Sequence, residues 1–183
     1  MPRYLFPKPY ADFVQRLRAP SGFALVAAFA YWSEPTLPSL EMGLAVAVAG
    51  LLLRGWAAGH LEKNQVLATS GPYALTRNPL YMGTLLVAAG FAIASRQLGL
   101  AVLFAAAFGL IYLPAIELEE QHLRKLFPEY EGYARRVPRL GFHLSSPGAK
   151  HSFRLALYSK NEEYKAATGF LAGVALLVWK IWR

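Results

Sequence analysis

Apolar residues gather into long unbroken runs separated by short polar stretches. Four runs stand out: Leu37–Ala58, Pro79–Ser95, Leu98–Ile116 and Ala166–Trp182. Each is long enough, or nearly so, for the roughly 17–25 residues that a helix needs to cross the hydrocarbon of a bilayer. Another run, Ser21–Trp32, which precedes these four and makes the first of five in chain order, is short by itself. It spans if its helix starts near Ala11 and Arg16 and Arg18 snorkel to the headgroups, with Pro20 predicted to kink it. Ahead of it, Tyr4, Leu5, Phe6, Tyr10 and Phe13 read as an interfacial segment, because aromatic side chains favour headgroup depth. Met1–Arg18 has neither an uninterrupted apolar core nor a small-residue cleavage site, so no cleavable signal peptide is expected. The pattern predicts an all-α polytopic integral membrane bundle of about five transmembrane helices.

Charge sets the orientation. Arg3, Lys8, Arg16 and Arg18 precede the first run, and Lys63 and Arg77 lie between the second and third. Nine more lie between the fourth and fifth: Arg124, Lys125, Arg135, Arg136, Arg139, Lys150, Arg154, Lys160 and Lys165. Five spans thus put fifteen of the 19 basic residues on one side, which the positive-inside rule makes cytoplasmic, the N-terminus with them. A bacterial inner membrane fits so compact a chain.

Composition agrees. Hydrophobic residues make up 55% of the 183 and charged ones 16%, more apolar than an ordinary soluble domain at about 45–50% and 25%. The net charge of +8 suits nucleic acid or an anionic membrane surface, and the hydrophobicity decides for the membrane, with no nucleic-acid partner. Absence of cysteine excludes disulfides, thiolate metal ligands and a cysteine nucleophile. The length fits one domain over residues 1–183, with a core at about 37–140. Residues 141–183 form an interfacial segment and a C-terminal transmembrane helix. Gly55-Trp-Ala-Ala-Gly59 and Gly169-Phe-Leu-Ala-Gly173 let helix backbones approach closely, which suits packing within the bundle; the oligomeric state stays open.

Polar side chains collect at two helix ends. Ser70-Gly-Pro-Tyr73 has turn chemistry, and Asn78-Pro79 starts the next helix with Pro at its first position and Asn as the expected N-cap. Arg77, Tyr73 and Tyr81 gather at that entrance, where a helix N-terminus favours anionic groups. Arg54 lies inside an apolar run and needs a partner or a wet cavity, unless it snorkels. His60, at the membrane exit, reads equally as a capping or solvated residue. Glu117, Glu119 and Glu120 follow the fourth run; Glu120 is spaced to pair with Arg124, leaving Glu119 free for a cation or ribose hydroxyls. The four scattered histidines show no metal-ligand spacing, so no metal is expected. Nucleotide-binding glycine motifs and hydrolase signatures are absent as well.

Thr69-Ser-Gly-Pro-Tyr-Ala-Leu-Thr-Arg-Asn-Pro-Leu-Tyr-Met-Gly83 resembles the signature of isoprenylcysteine carboxyl methyltransferases and related phospholipid methyltransferases. Glu119-Glu120-Gln-His-Leu123, then Phe127, Tyr130, Tyr133 and Val137-Pro138, resembles their second block in order and spacing. The resemblance covers roughly residues 45–140 and includes Arg54 and Gly59-His60. It implies S-adenosylmethionine as cofactor, held at the cytoplasmic face by Gln65, Val66, Leu67, Ala68, Tyr73, Asn78, Pro79, Leu80, Tyr81, Glu119 and Glu120. Arg54, Arg77 and His60 are then the catalytic candidates: the arginines orient an anionic substrate group, and His60 accepts a proton from an amine. The acceptor is a lipophilic small molecule or a lipidated substrate entering from the membrane lipids.

Two positions depart from the family pattern. Asn78 replaces a His, and an amide cannot titrate. Ala115 replaces an Arg that would pair with a prenylcysteine carboxylate, unless Arg54 or Arg77 substitutes for it. Sterol reductases share a related core, so a nicotinamide-dependent membrane reductase is one alternative. A non-catalytic lipid-binding scaffold is the other.

Overall fold

The computed structural model describes residues 5–143 and 152–183, the side chains of residues 18 and 19 excepted. Arg3, Tyr4 and Lys150, as well as the Arg18 side chain, therefore lie outside the described residues. Everything described is helix or connection. The order is α1 (Lys8–Trp32), α2 (Leu37–Ala58), a short 3-10 turn (Gly71–Ala74), α3 (Pro79–Ser95), α4 (Leu98–Ala107), a π turn (Phe108–Tyr112), α5 (Leu113–Leu126), α6 (Tyr130–Arg136), α7 (Leu155–Lys160) and α8 (Tyr164–Ile181). Three stretches are long and apolar enough to cross a membrane: Leu37–Ala58, Leu98–Leu126 and Tyr164–Ile181. Pro20–Trp32 and Pro79–Ser95 are shorter apolar helices. The chain is an integral membrane protein, all-helical over the described residues.

Helix boundaries follow local chemistry. The helix of α1 starts at Lys8 and runs through Pro20 to Trp32. Thr36 caps α2 by accepting from the Ser39 amide at 3.4 Å, and Ser39 Oγ accepts from the Thr36 amide at 2.9 Å, a reciprocal capping box. The fourth apolar run was expected to end at Ile116, but its helix continues to Leu126. Hydrophobicity stops there, whereas Glu, Leu, Gln, Arg and Lys keep high helix propensity.

The π turn has a cause in the sequence. Pro114 has no N–H to donate to the carbonyl four residues back, Leu110, and its ring would crowd that oxygen. Widening the turn relieves the crowding. Tyr10 Oη of α1 then donates to Leu110 O at 2.7 Å, so the freed carbonyl stays bonded. One turn further on, the buried Glu117 accepts the Leu5 and Phe6 amides at 2.8 and 3.2 Å. Glu117 thus anchors the N-terminal segment to α5.

Close approach of α2 and α3 forms the centre of the bundle. A methyl group added to Gly50 would come within 2.6 Å of Gly83 O, and one on Gly83 would meet Gly50 O at the same distance. Gly43 and Gly90 face each other in the same way one heptad away. The motifs singled out in the sequence serve intramolecular contacts too: Gly59 lies against the Phe153 ring and Gly173 against Phe91. Around Gly169 there is open space. Phe29, Leu40, Ala94, Leu100 and Leu177 fill one end of the bundle. Leu67, Phe127, Tyr130, Tyr133 and Val137 form a second cluster at the other end.

Candidate functional site

At that second end, α2 finishes, α3 begins and α5 runs out beyond the apolar region. Asn64 takes a left-handed φ of 58°, which Asn tolerates better than most residues, and turns the chain after α2. Gly71 also has a positive φ, 56°, and the His60 ring occupies the space where a side chain would start. Both requirements specify glycine there.

Glu120 is the electrostatic centre of the fold at this end. It is 1% exposed and accepts Arg139 Nε and Nη2 at 3.0 and 2.8 Å, while Arg77 Nε stands 3.3 Å away as an ion-pair partner without a hydrogen bond. Asn78 Nδ2 donates to Glu120 Oε1 at 3.2 Å and to Arg139 O at 3.0 Å. The Asn78 side chain therefore does not cap α3, as its position suggested; a buried carboxylate and a carbonyl take both its donors. A neutral imidazole has a single N–H and would satisfy only one of these two acceptors. Arg77 N donates to Pro138 O and His143 N to Leu75 O, each at 2.9 Å, so residues 137–143 lie along the entrance to α3. Arg124 pairs with Glu131 at 2.8 Å and lies over the Tyr130 ring, not against Glu120. Two arginines already balance Glu120.

Glu119, one residue earlier, points elsewhere. It is exposed and accepts Tyr81 Oη at 2.9 Å. Both residues face one partly open cleft. Of the positions expected to hold a cofactor, Val66, Leu67, Ala68, Tyr73, Asn78, Pro79, Leu80, Tyr81 and Glu119 line this cleft, and so does Arg77. Gln65 and Glu120 do not. Leu61 to Asn64 line the cleft as well without having been expected, and so do Leu123, Tyr130 and Tyr133, which the second block contained without a site role.

The buried phenols stay neutral. Burial pushes Tyr73 above its ordinary value of 10.0, and the charge of Glu119 adds to the effect. Tyr130 and Tyr133 are raised as well, by burial first and then by Glu120 and by Tyr130 respectively. Tyr133 Oη donates to Tyr73 O at 2.7 Å, closing α6 over the turn.

Arg54 and His60 stand outside this cleft. Arg54 Nε and Nη2 bind the two carboxylate oxygens of Glu163 at 2.6 and 2.9 Å, and Nη1 donates to Leu80 O at 3.3 Å and to Thr84 Oγ1. It thus meets the cleft wall at Leu80 from behind. Its partner Glu163 was not foreseen, although the adjacent Glu162 and Glu163 just ahead of an apolar run were the available signal. His60 lines an adjoining open cleft that shares Glu62, Val66, Leu67 and Ala68 with the first. Its Nδ1 lies 2.9 Å from Trp56 O, which assigns the proton to Nδ1 and leaves Nε2 as an acceptor. Arg154 pairs with Glu62 and donates its backbone N–H to Gly59 O at 2.9 Å. Asn161 Nδ2 donates to Ala58 O and Leu61 O at 2.9 and 2.8 Å. The C-terminal segment therefore fixes the loop that walls both clefts. Ala115 is buried and adds no donor to either. Among the described residues no group of three or more His, Cys, Asp or Glu side chains is placed to hold a metal ion.

Comparison with known proteins bears on the family of the chain. The family described as phospholipid methyltransferase matches residues 42–130. The cobalt-zinc-cadmium resistance protein CzcN of Cupriavidus metallidurans is 40% identical over 110 residues, 58% of this chain and 50% of that protein. The nickel-cobalt-cadmium resistance protein NccN of Alcaligenes xylosoxydans xylosoxydans is 31% identical over 119 residues, 63% of this chain and 56% of that one. Protein-S-isoprenylcysteine O-methyltransferase of Schizosaccharomyces pombe is 27% identical over 137 residues, 72% and 58% of the two chains. The chain spans about half the length of the curated relatives it matches. No solved structure matches it.

Proposed function

Since this chain belongs to the superfamily of phospholipid and isoprenylcysteine membrane methyltransferases, we propose that it methylates a lipophilic or amphiphilic acceptor with S-adenosylmethionine at the cytoplasmic membrane face. The observation that carries this reading is the cleft between residues 61–81, Glu119 and α6, where nearly all the expected cofactor positions meet.

The residues present fit that cofactor. Glu119 has an exposed carboxylate steadied by Tyr81, suited to an ammonium group or ribose hydroxyls. The neutral rings of Tyr73, Tyr130 and Tyr133 suit a sulfonium cation, and Leu67, Leu80 and Leu123 suit an adenine face. When bound, S-adenosylmethionine supplies a methyl group already attached to its leaving group, so the protein's task is alignment. Glu120 takes no direct part; enclosed by Arg77, Arg139 and Asn78, it fixes the start of α3.

The acceptor's reacting end must meet the methyl group beside Val66 to Ala68, the segment that the two clefts share. A carboxylate nucleophile needs positioning only. For an amine, His60 Nε2 is the acceptor for the departing proton. Arg77, on the main cleft, is the arginine available to an anionic group, because Arg54 is already saturated by Glu163, Leu80 O and Thr84.

Two relatives are named for resistance to metals, whereas the methyl-transfer reading rests on the cleft. Calorimetric titration of the detergent-solubilised protein with S-adenosylmethionine tests the reading. Binding that weakens in Glu119→Gln supports it. Absence of binding to the unmodified protein overturns it; where binding is seen, label transfer from the cofactor into lipid extracts identifies the acceptor.

A further inference from the structure

Four of the 19 basic residues lie outside the N-terminal segment and the loops that carry the other fifteen. Arg54 is paired inside the bundle. The remaining three, Arg96, Lys180 and Arg183, are distant in sequence, yet they meet at one open cleft of about 850 Å³. It lies where α1, α3 and α8 end, opposite the methyl-transfer cleft along α2 and α3. Trp179, Ser33 and Glu34 complete its walls.

Helix C-termini attract cations, and that explains Lys180, whose Nζ donates to Ser33 O and Tyr31 O at 2.7 and 3.2 Å. It does not explain the two arginines. Arg183 lies over the Trp179 ring, 5.0 Å from its centroid. Arg96 takes a left-handed φ of 56° at the end of α3, a conformation that favours glycine, and it is exposed there. Among the described residues none of the three makes a salt bridge, and Glu34 is the single carboxylate lining the cleft. Ser33 Oγ is buried with no hydrogen-bond partner among the described residues. Around the cleft Tyr31, Trp32, Trp179 and Trp182 are exposed, and such rings settle at headgroup depth.

We propose that this cleft binds the phosphate of an anionic membrane lipid, at the membrane face opposite the methyl-transfer site. Two guanidiniums and an ammonium match a phosphodiester's charge and acceptors, and the rings place them at the depth of lipid phosphates. The site rests on the membrane reading of the chain, not on the methyltransferase reading.

Native mass spectrometry of the whole protein released from micelles containing equal phosphatidylglycerol and phosphatidylcholine tests it. Preferential retention of phosphatidylglycerol is expected. The Arg96→Gln, Arg183→Gln double variant should weaken that retention about 25-fold, roughly fivefold for each charge removed. The Arg96→Lys, Arg183→Lys variant keeps both charges and should retain the lipid, with the melting temperature and S-adenosylmethionine binding of all three proteins compared. Equal retention of the two lipids overturns the proposal, and so does unchanged retention in the glutamine variant. Displacement of the lipid by millimolar inorganic phosphate overturns the lipid assignment in favour of a free anion.

Discussion

Arg54 and Glu163 are 109 positions apart, yet they form a two-pronged ion pair at 2.6 and 2.9 Å between α2 and the start of α8. Glu163 is 6% exposed and Arg54 22%, so each charge depends on the other for solvation. Removing one partner of a buried pair costs about 3–5 kcal/mol, whereas replacing both with apolar groups is often close to neutral. Arg54→Ala is therefore expected to lower stability by about 3 kcal/mol, at the low end because the arginine is partly wet. Arg54→Met with Glu163→Met should recover most of the loss. Thermal unfolding in detergent of the parent, Arg54→Met, Glu163→Met and the double variant measures the coupling. If the double variant also keeps methyl transfer, Arg54 holds the cleft wall and does not hold the acceptor.

Tyr81 and Glu119 give a prediction at the cleft itself. The phenol donates to an ionised carboxylate, a bond worth about 1.5–3 kcal/mol. Tyr81→Phe leaves Glu119 charged but unsteered, since solvent at the exposed carboxylate replaces the lost donor. Stability should then change little, while S-adenosylmethionine affinity falls by about tenfold, matching the lower end of that range. Titration calorimetry beside a melting curve separates the two effects. A Glu119→Gln protein with unaltered affinity would remove the carboxylate from the site.

The apolar runs made α2 and α3 legible to the residue, because hydrophobicity, Thr36 and Pro79 mark the same boundaries. Legibility failed where the helix outlasted its apolar face, as in α5 beyond Ile116. Gly83 and Gly90 are spaced seven apart, like Gly43 and Gly50, but each pair has meaning only once the other helix is beside it. At the site, the turn chemistry of Gly71 to Pro79 and the position of Glu119 were readable from local rules. The partners of Glu120 were not. Adjacent carboxylates look alike in sequence, and only the return of residues 137–143 shows that Glu120 faces inward while Glu119 faces the cleft. Arg54 announced that it needed a counter-charge, and its distance from Glu163 hid which one.

Glu120 and Arg139 carry the next expectation. Arg139 supplies two bonds to a carboxylate that is 1% exposed, and Arg77 stands close enough to retain part of the compensation. Arg139→Ala should therefore destabilise by about 3 kcal/mol rather than more. It also frees residues 137–143 from the entrance of α3, so limited proteolysis should cut there faster. Glu120→Gln leaves two arginines facing each other across a neutral amide and should likewise unfold more easily. Were both variants to melt like the parent, Glu120 would not be holding this end of the fold.

The buried phenols set a limit at alkaline pH. Tyr73, Tyr130 and Tyr133 are held above the ordinary 10.0 of an exposed phenol, chiefly by burial. A raised folded value means that the folded chain keeps protons which the unfolded chain gives up. Their contribution is then whole below about pH 10 and is lost as the pH climbs from there toward the folded values. Between pH 6 and 9 these three groups should leave stability unchanged. Above pH 10 each should subtract up to about 1.4 kcal/mol per pH unit while it stays neutral in the folded state. Unfolding midpoints from pH 9 to 11.5 measure the slope, and Tyr130→Phe should flatten it by one group's share. A slope that is identical in the parent and in Tyr130→Phe would mean that this ring ionises as readily in the folded protein as outside it.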